Sequence, residues 1–326
     1  MTRPTQAALI AGGLLCAALF VAAWRFGGDL APLSGTRKTW EGASASDPFP
    51  RTARDIHGFE LTLAGPPESL ASQALVTDHF LFAVVPHERI VGVSAAAHDP
   101  RYSFVADIVS RMDVVVTSDP EAVLRRKPEL MLVAESARAD YVEMTRASGV
   151  PVFRMRTVAE NFGQIAKGLE TIGYLTGEDA AADREIGRLR ERVRAARARR
   201  PADAPPPRGL AFSSFSYTYG EGSLFDHIVT ALGAVNVGAE QGIGPYGSIS
   251  SEHVASWNPD WIVCAGEPDS IESVRERLLA DPGVTVTAAG RERQILVVEN
   301  RRYLSMSQHA VGLMEALAVV LYPEAK

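Results

Sequence analysis

Tyrosine, arginine and histidine side chains recur in the segments that follow short apolar runs of this 326-residue sequence. Tyrosine and arginine bind anionic ligands through hydrogen bonds and charge, and aromatic rings stack on flat ligands. A histidine in such a segment is also a candidate metal ligand. The candidate ligand-binding residues are His98, Arg101, Tyr102, Tyr217, Tyr219, Tyr246, Arg301, Tyr303 and His309.

The sequence carries no recognisable motif for catalysis. It has no Gly-x-Ser-x-Gly motif, no His-Glu-x-x-His motif and no Cys/His cluster at zinc spacing. The glycines of GIGPYG at 242–247 have the spacing of the dinucleotide-binding fingerprint. The structural context of that fingerprint is missing, because Pro245 interrupts the glycines and the next helix is predicted only after Ser250. We therefore expect a glycine-rich loop there, and neither an enzyme nor a resident cofactor.

Length and charge limit the class of protein. The chain is long enough for about two domains, and its content of 46% hydrophobic and 22% charged residues is ordinary for a globular protein. The net charge of −6 gives no reason to expect a nucleic-acid partner. Two cysteines cannot build a disulfide framework.

The N-terminus has the pattern of an export segment. Residues 7–24 carry no charge and follow a short head with Arg3, so residues 1–24 are predicted to be a signal peptide or a membrane anchor. Lipidation at Cys16 is disfavoured, because bulky Leu15 precedes the cysteine. Residues 25–50 are rich in Gly, Ser, Pro and Ala without an apolar period, which predicts a flexible tether.

Short apolar runs then alternate with helical stretches in two halves of the chain. In the first half, strands are predicted at 60–63, 89–94, 114–117, 130–134 and 150–155, and helices at 77–85, 103–111, 121–126 and 139–148. In the second half, strands are predicted at 210–213, 261–264, 284–287 and 295–298, and helices at 223–232, 251–257, 271–280 and 307–321. This alternation is typical of α/β layers with mostly parallel sheets.

A long helical stretch separates the halves. Apolar residues recur at helical spacing in 162–172, Gly177 interrupts the pattern, and 178–200 resumes it. A helix over 178–200 would be about 34 Å long. Acids start it and arginines end it, as the helix dipole favours, and we interpret these arginines as a solvated face. The predicted domains are a first lobe at 51–157, a helical connector at 158–200 and a second lobe at 201–326.

One phrase occurs twice in the chain. Glu121 lies seven residues before Pro128, Glu252 lies seven before Pro259, and the copies are 131 residues apart (252 − 121). A second match pairs GVPV at 149–152 with GVTV at 283–286. The predicted fold class is therefore α/β, with two Rossmann-like lobes joined by a long rigid backbone helix. Ligands of such folds bind outside the carboxyl ends of the strands, here in a cleft between the lobes.

On these residues the chain resembles the helical-backbone periplasmic binding proteins, the solute receptors of ABC importers for vitamin B12, haem and ferric siderophores. The resemblance runs from about Arg51 to Pro323. It rests on Asp55-x-x-Gly58, on RIVGVS at 89–94 and on the Glu-x6-Pro-Asp/Glu phrase in each lobe. Two departures, PESL at 67–70 for Pro-x-Arg-Ile and Pro-Glu at 128–129 for Pro-Asp, do not threaten the fold.

The resemblance implies a partner, an ABC permease dimer with its ATPase. In that family an acid on each lobe docks into arginine pockets on the two permease subunits, which here implies Glu121 and Glu252. Both acids are predicted in a first helical turn, with Ser118, Ser250 and Ser251 as candidate caps. The alternative is that both are only helix-start acids.

The predicted function is therefore that of a periplasmic receptor that captures a metal chelate and delivers it to the permease. Export to the periplasm is expected, with anchoring to the inner membrane if residues 7–24 are retained. Two alternatives stay open. One is a bare zinc or manganese receptor of a related class, which the scattered histidines do not exclude. The other is an anchored ligand sensor without a transporter.

Overall fold

The computed structural model describes residues 48–212 and 216–323. The predicted signal or anchor at 1–24, with Cys16, and nearly all of the predicted tether at 25–50 lie outside the described residues. Within the described ranges, none of the helices has both the length and the hydropathy that crossing a membrane requires.

The first half of the chain builds a parallel sheet of five strands in the order β5-β4-β3-β6-β7. Its strands are β3 (Leu70–Ser72), β4 (Ile90–Val93), β5 (Val115–Val116), β6 (Leu130–Ala134) and β7 (Val152–Met155), and an antiparallel ribbon of β1 (Arg51–Arg54) and β2 (Glu60–Leu63) precedes them. The helices are α1 (Leu75–Val84), α2 (Ala106–Val109), α3 (Pro120–Arg126) and α4 (Ala139–Ala147). Every residue of β6 is buried, as expected for an interior parallel strand with an unbroken apolar run.

The second half builds a four-stranded parallel sheet in the order β10-β8-β12-β13. Its strands are β8 (Arg208–Ala211), β10 (Val235–Asn236), β12 (Trp261–Gly266) and β13 (Ile295–Glu299), and β9 (Tyr217–Thr218) pairs with β11 (Gly247–Ser248) in a separate antiparallel ribbon. The helices are α7 (Leu224–Ala231), α8 (Val237–Glu240), α9 (Ser251–Trp257), α10 (Ile271–Leu279), α11 (Pro282–Thr285), α12 (Ala288–Arg291), α13 (Asn300–Tyr303) and α14 (Val311–Leu321). Two parallel sheets with helices confirm the predicted α/β class.

Two strand predictions need correction. The predicted strand at 284–287 is wrong, because residues 282–285 form α11. Asp281 caps that helix by accepting hydrogen bonds from Gly283 N and Val284 N, and Pro282 occupies the first helical position. The second sequence match, of GVPV at 149–152 with GVTV at 283–286, therefore does not mark the same element in both halves. The predicted strand at 60–63 exists, but it pairs with β1 in the ribbon and not in the main sheet.

The Glu-x6-Pro phrase does mark the same structure twice. Helices α3 and α9 each have seven residues and end on a left-handed residue, Lys127 (φ 48°) and Asn258 (φ 45°). A buried proline follows each, and β6 and β12 begin two residues later. The carboxylate of Glu129 accepts a hydrogen bond from Glu68 N (2.7 Å), and that of Asp260 accepts one from Arg208 N (2.8 Å). Each acid thus fixes the chain leading into the neighbouring strand.

A helix pair connects the halves. Helices α5 (Phe162–Thr176) and α6 (Asp179–Ala198) pack on each other, and α6 also contacts α1 and α14. Arg51 holds Asp179 at the start of α6 (Nη1–Oδ2, 2.8 Å), and Arg192 in its second half holds Glu315 of α14 (Nη2–Oε2, 2.7 Å). The twenty residues of α6 span about 30 Å. The domain limits at 51, 158 and 201 stay a prediction.

We expect Gly209→Ala to lower the free energy of unfolding by about 3 kcal/mol, because it would overpack the second sheet. Gly209 of β8 lies beneath the Trp261 ring of β12, and an added Cβ would be 1.8 Å from Trp261 Cζ2. The matched control is Gly187→Ala in α6, where nothing lies within 4 Å of an added Cβ. It should raise stability by about 1 kcal/mol through helix propensity. Urea unfolding of both variants measures the effects, and an unchanged midpoint for Gly209→Ala would contradict the prediction.

Candidate functional site

The candidate site lies where segments from both sheets meet beyond the carboxyl ends of the strands. Residues 94–104, here called the cleft loop, follow β4 in the first lobe. Residues 267–270 follow β12 in the second lobe, and residues 300–309 follow β13. Contacts between these segments bring side chains of the two lobes together.

Phe104 of the cleft loop is the aromatic centre of the site. Its ring stacks on the imidazole of His309, with 4.1 Å between the ring centroids and 19° between the planes. The guanidinium carbon of Arg301 lies 5.3 Å from the centroid of the same phenyl ring, within range of a cation–π contact. Arg301 is oriented by its Nε, which donates a hydrogen bond to Glu299 (2.7 Å). An aromatic stack with a cation beside it thus joins the two lobes.

His79 of α1 lies behind this stack and contacts both lobes. Its Nε2 accepts a hydrogen bond from Phe104 N (3.2 Å), and its Nδ1 lies 3.0 Å from Ser307 Oγ. Its ring meets that of His309 edge to face at 5.0 Å. Burial lowers the pKa of His79 to about 3, helped by the neighbouring His309. Since Nε2 accepts from a backbone N–H, the proton of the neutral ring must reside on Nδ1.

The pKa of His309 is lowered to about 4, mainly by burial and secondly by the charge of Arg192. Its imidazole is therefore neutral near pH 7 and stacks as an uncharged ring on Phe104. The side-chain amide of the preceding residue, Gln308, donates a hydrogen bond to the backbone carbonyl of His79 (2.9 Å). The inner part of the site thus combines the neutral imidazoles of His79 and His309 with the ion pair of Arg301 and Glu299.

The outer part of the site is charged. Arg101 Nη2 donates to Asp99 Oδ2 (2.6 Å), and its Nη1 lies 3.6 Å from Glu267 Oε1 of the second lobe. The hydrogen bonds from Arg101 lower the pKa of Asp99. The guanidinium carbon also lies 5.6 Å from the Tyr102 ring centroid. Arg101 and Glu267 thus form a partly exposed ion pair between the lobes.

The second-lobe tyrosines form a neighbouring group. The Tyr219 and Tyr303 rings are 6.0 Å apart, and burial raises the pKa of both hydroxyls. The Tyr303 hydroxyl is buried and makes no hydrogen bond to any residue of the described ranges. Tyr217 is exposed on β9, and Tyr246 is half-buried just before its partner strand β11.

The structure brings some of the predicted ligand-binding residues together and separates others. Arg301 and His309 meet at Phe104, whereas His98 is exposed on a short turn and the histidine that contacts His309 is His79. The sequence prediction missed Phe104, His79 and Glu267. Glu267 directly follows β12, but the strand predicted at 261–264 ends two residues too early, so the residue after the predicted strand was Ala265. His79 lies within an apolar helix and gave no local signal.

The two candidate docking acids occupy equivalent places. Glu121 and Glu252 are both exposed in the first turns of α3 and α9. The cap of α3 is Asp119, not Ser118, because the Asp119 side chain accepts a hydrogen bond from Ala122 N (3.1 Å). Ser250 caps α9, as one of the predicted alternatives, and its hydroxyl also donates to Glu252, which lowers the pKa of that carboxylate.

Potential metal ligands are not clustered in the part of the chain that the structure describes. Across residues 48–212 and 216–323, no three His, Cys, Asp or Glu side chains come together in an arrangement that would hold a metal ion.

Comparison with known proteins gives the family. A profile of periplasmic binding proteins matches residues 75–301. A cobalamin-binding protein of Halobacterium salinarum is 26% identical over 277 residues, which are 83% of this chain and 73% of that protein. YvrC of Bacillus subtilis, described as an uncharacterized ABC transporter substrate-binding lipoprotein, is 24% identical over 255 residues, which are 76% of this chain and 78% of that protein.

Solved structures share the fold. The periplasmic haem-binding protein RhuT from Roseiflexus sp. RS-1, in its apo form, matches with a TM-score of 0.64 at 23% identity, over 79% of this chain and 99% of that one. Matched over most of its length by the family profile, the chain belongs to the periplasmic binding protein family, whose members bind substrates and are not enzymes.

Proposed function

We propose that this protein is the substrate-binding component of an ABC importer and captures a metal chelate, of the haem, cobalamin or ferric siderophore kind, in the cleft between its lobes. It presents the bound chelate to a permease dimer with its ATPase. The observation that carries this proposal is the stack of Phe104 on His309 with Arg301 beside it.

The chemistry of the stack fits a flat, anionic ligand. A macrocycle would extend the stacking of the two rings, and Arg301 would meet its acidic groups with a guanidinium. Tyr219 and Tyr303 form a second aromatic pair, and Tyr303 lies on α13, the helix that carries Arg301. Relatives support the same ligand class, because one is a cobalamin-binding protein and a structural neighbour is a haem-binding protein.

The family and the pattern of the N-terminus support a proposal for the place of action. We propose export to the periplasm through residues 1–24, which stay as an inner-membrane anchor if they are not cleaved. A lipoprotein of an ABC transporter is among the relatives, which supports delivery to a permease. Glu121 and Glu252 are proposed as the two docking acids.

The test is a titration of the full-length protein with haemin, cyanocobalamin and a panel of ferric siderophores, followed by tyrosine and tryptophan fluorescence. One of these probes should bind saturably at one molecule per chain. Stoichiometric zinc that survives dialysis, with no binding of any chelate, would replace the proposal with a bare-metal receptor. Absence of binding by chelates and zinc alike would refute it.

Arg301→Met should weaken binding of an anionic chelate such as haemin about tenfold or more, because the cation beside the stack is lost. Arg302→Met is the matched control, since Arg302 is the next residue of α13 and lies 4.0 Å from the same Glu299. Its affinity for haemin should change by less than about threefold, as for a rim charge. Equal losses in both variants would show that only net charge matters.

A further inference from the structure

We infer that His79 is a positioning residue that couples the cleft loop of the first lobe to the second lobe. Its ring is buried behind the Phe104–His309 stack and acts on the binding surface through Phe104. The inference rests on the proposed function insofar as Phe104 forms the binding surface. The geometry of the coupling itself is independent of which ligand binds.

Consecutive residues of α1 hold the two ends of the cleft loop. Asp78 accepts hydrogen bonds from the backbone N–H and the hydroxyl of Ser94, where the loop begins. His79 Nε2 accepts from the backbone N–H of Phe104, where the loop ends. The position of the Phe104 ring therefore depends on the imidazole of His79, since that backbone N–H is tied to it.

The other edge of the imidazole is bound to the second lobe. His79 Nδ1–H donates to Ser307 Oγ, and Gln308 Nε2 donates to the His79 carbonyl, two bonds that join residues more than 200 positions apart. Separation of the lobes would break both bonds together with the Phe104–His309 stack. The position of the cleft loop and the arrangement of the two lobes are therefore linked through the imidazole ring of His79.

Helix α1 provides a fixed support for this ring. His79 is only 3% exposed, and α1 packs on both helices of the connector, α5 and α6. The Phe80 ring closes over Gly168 of α5, where an added Cβ would lie 2.6 Å from Phe80 Cε2. The backbone of His79 is therefore fixed to the connector, and its ring reaches Phe104 on one side and Ser307 on the other.

Two variants separate the two hydrogen bonds that the His79 ring makes. In His79→Gln, the amide oxygen takes the place of Nε2 and keeps an acceptor for Phe104 N–H. In His79→Asn, the amide nitrogen takes the place of Nδ1 and keeps only the donor for Ser307. Amide hydrogen exchange at Phe104, measured by NMR, should stay within about threefold of the native rate in His79→Gln and rise about tenfold or more in His79→Asn.

Haemin serves as the binding probe. Its affinity should fall about tenfold in His79→Asn and recover in His79→Gln, because only the second variant keeps Phe104 in place. If haemin does not bind the native protein, the haem assignment fails, but the exchange rates still decide the inference. ¹⁵N NMR of the native His79 ring should show a proton on Nδ1 and none on Nε2. A proton on Nε2, or equal exchange in both variants, would overturn the coupling.

Discussion

Replacement of both Glu121 and Glu252 by glutamine should abolish ligand uptake by cells while leaving ligand affinity unchanged. The acids occupy the same position in two copies of one helix–strand joint, one in each lobe. A partner with two-fold symmetry presents the same pocket twice, so both contacts would be lost together. Removal of one charge from a paired interface costs about 2–5 kcal/mol, and the double variant should therefore lower uptake about 100-fold or more.

Acids at other helix starts provide the matched control. Asp107 of α2 and Glu272 of α10 are exposed first-turn acids, one in each lobe. The double variant Asp107→Asn/Glu272→Gln removes the same net charge and should transport at nearly the native rate. Uptake assays with both double variants, together with binding of the purified proteins, separate docking from capture. Loss of ligand binding in the Glu121/Glu252 variant, or equal loss of uptake in the control, would remove the docking role.

Local patterns in the sequence were sufficient for much of the fold. The apolar run of β6 and the helix α9 were predicted at their observed bounds, because both depend on spacing over a few residues. The helix and the strand on either side of the repeated proline were predicted in both lobes, whereas the left-handed residue between them was found only in the structure. Elements of this kind are determined by neighbouring residues and can be recognised without the rest of the chain.

Short elements and contacts between distant parts of the chain were harder to predict from the sequence. Strand β3 has only three residues, too few to show a period, although it is the central strand of its sheet. Segment 284–287 contains β-branched residues typical of a strand, but the capping of α11 by Asp281 prevailed. In the candidate site, Arg301 and His309 were named from the sequence but their contacts with Phe104 were not, because these contacts join residues far apart in the chain.

Asp78→Asn should remove a pH-dependent loss of stability of about 4 kcal/mol between pH 4 and pH 8. Asp78 is fully buried in α1, and burial raises the pKa of its carboxyl from 3.8 to about 7, against the opposing hydrogen bonds of Ser94. Between pH 3.8 and 7 the folded state holds a proton that the unfolded state has released, so the free energy of unfolding falls as pH rises. A difference of about three pKa units corresponds to about 4 kcal/mol.

The asparagine variant keeps the shape and the hydrogen bonds but cannot ionise. Its amide oxygen accepts from Ser94 N–H and its amide nitrogen donates to Ser94 Oγ. The depressed pKa values of His79 and His309 act with the opposite sign, because their stabilisation is present above pH 6.5 and is lost as pH falls through about 4 and 3. Both proteins share these histidines, so their effect cancels in the difference between the variant and the native chain.

Urea unfolding of the native protein and of Asp78→Asn at pH 4, 6 and 8 measures that difference, with Asp107→Asn as the exposed control. The variant should match the native protein at pH 4 and exceed its stability progressively toward pH 8, while the control remains parallel to the native curve. A constant offset across the range would mean that Asp78 is ionised inside the fold. In that case the hydrogen bonds from Ser94 would stabilise the carboxylate by more than its burial destabilises it. The Asp78 side chain that holds the start of the cleft loop would then be an anion.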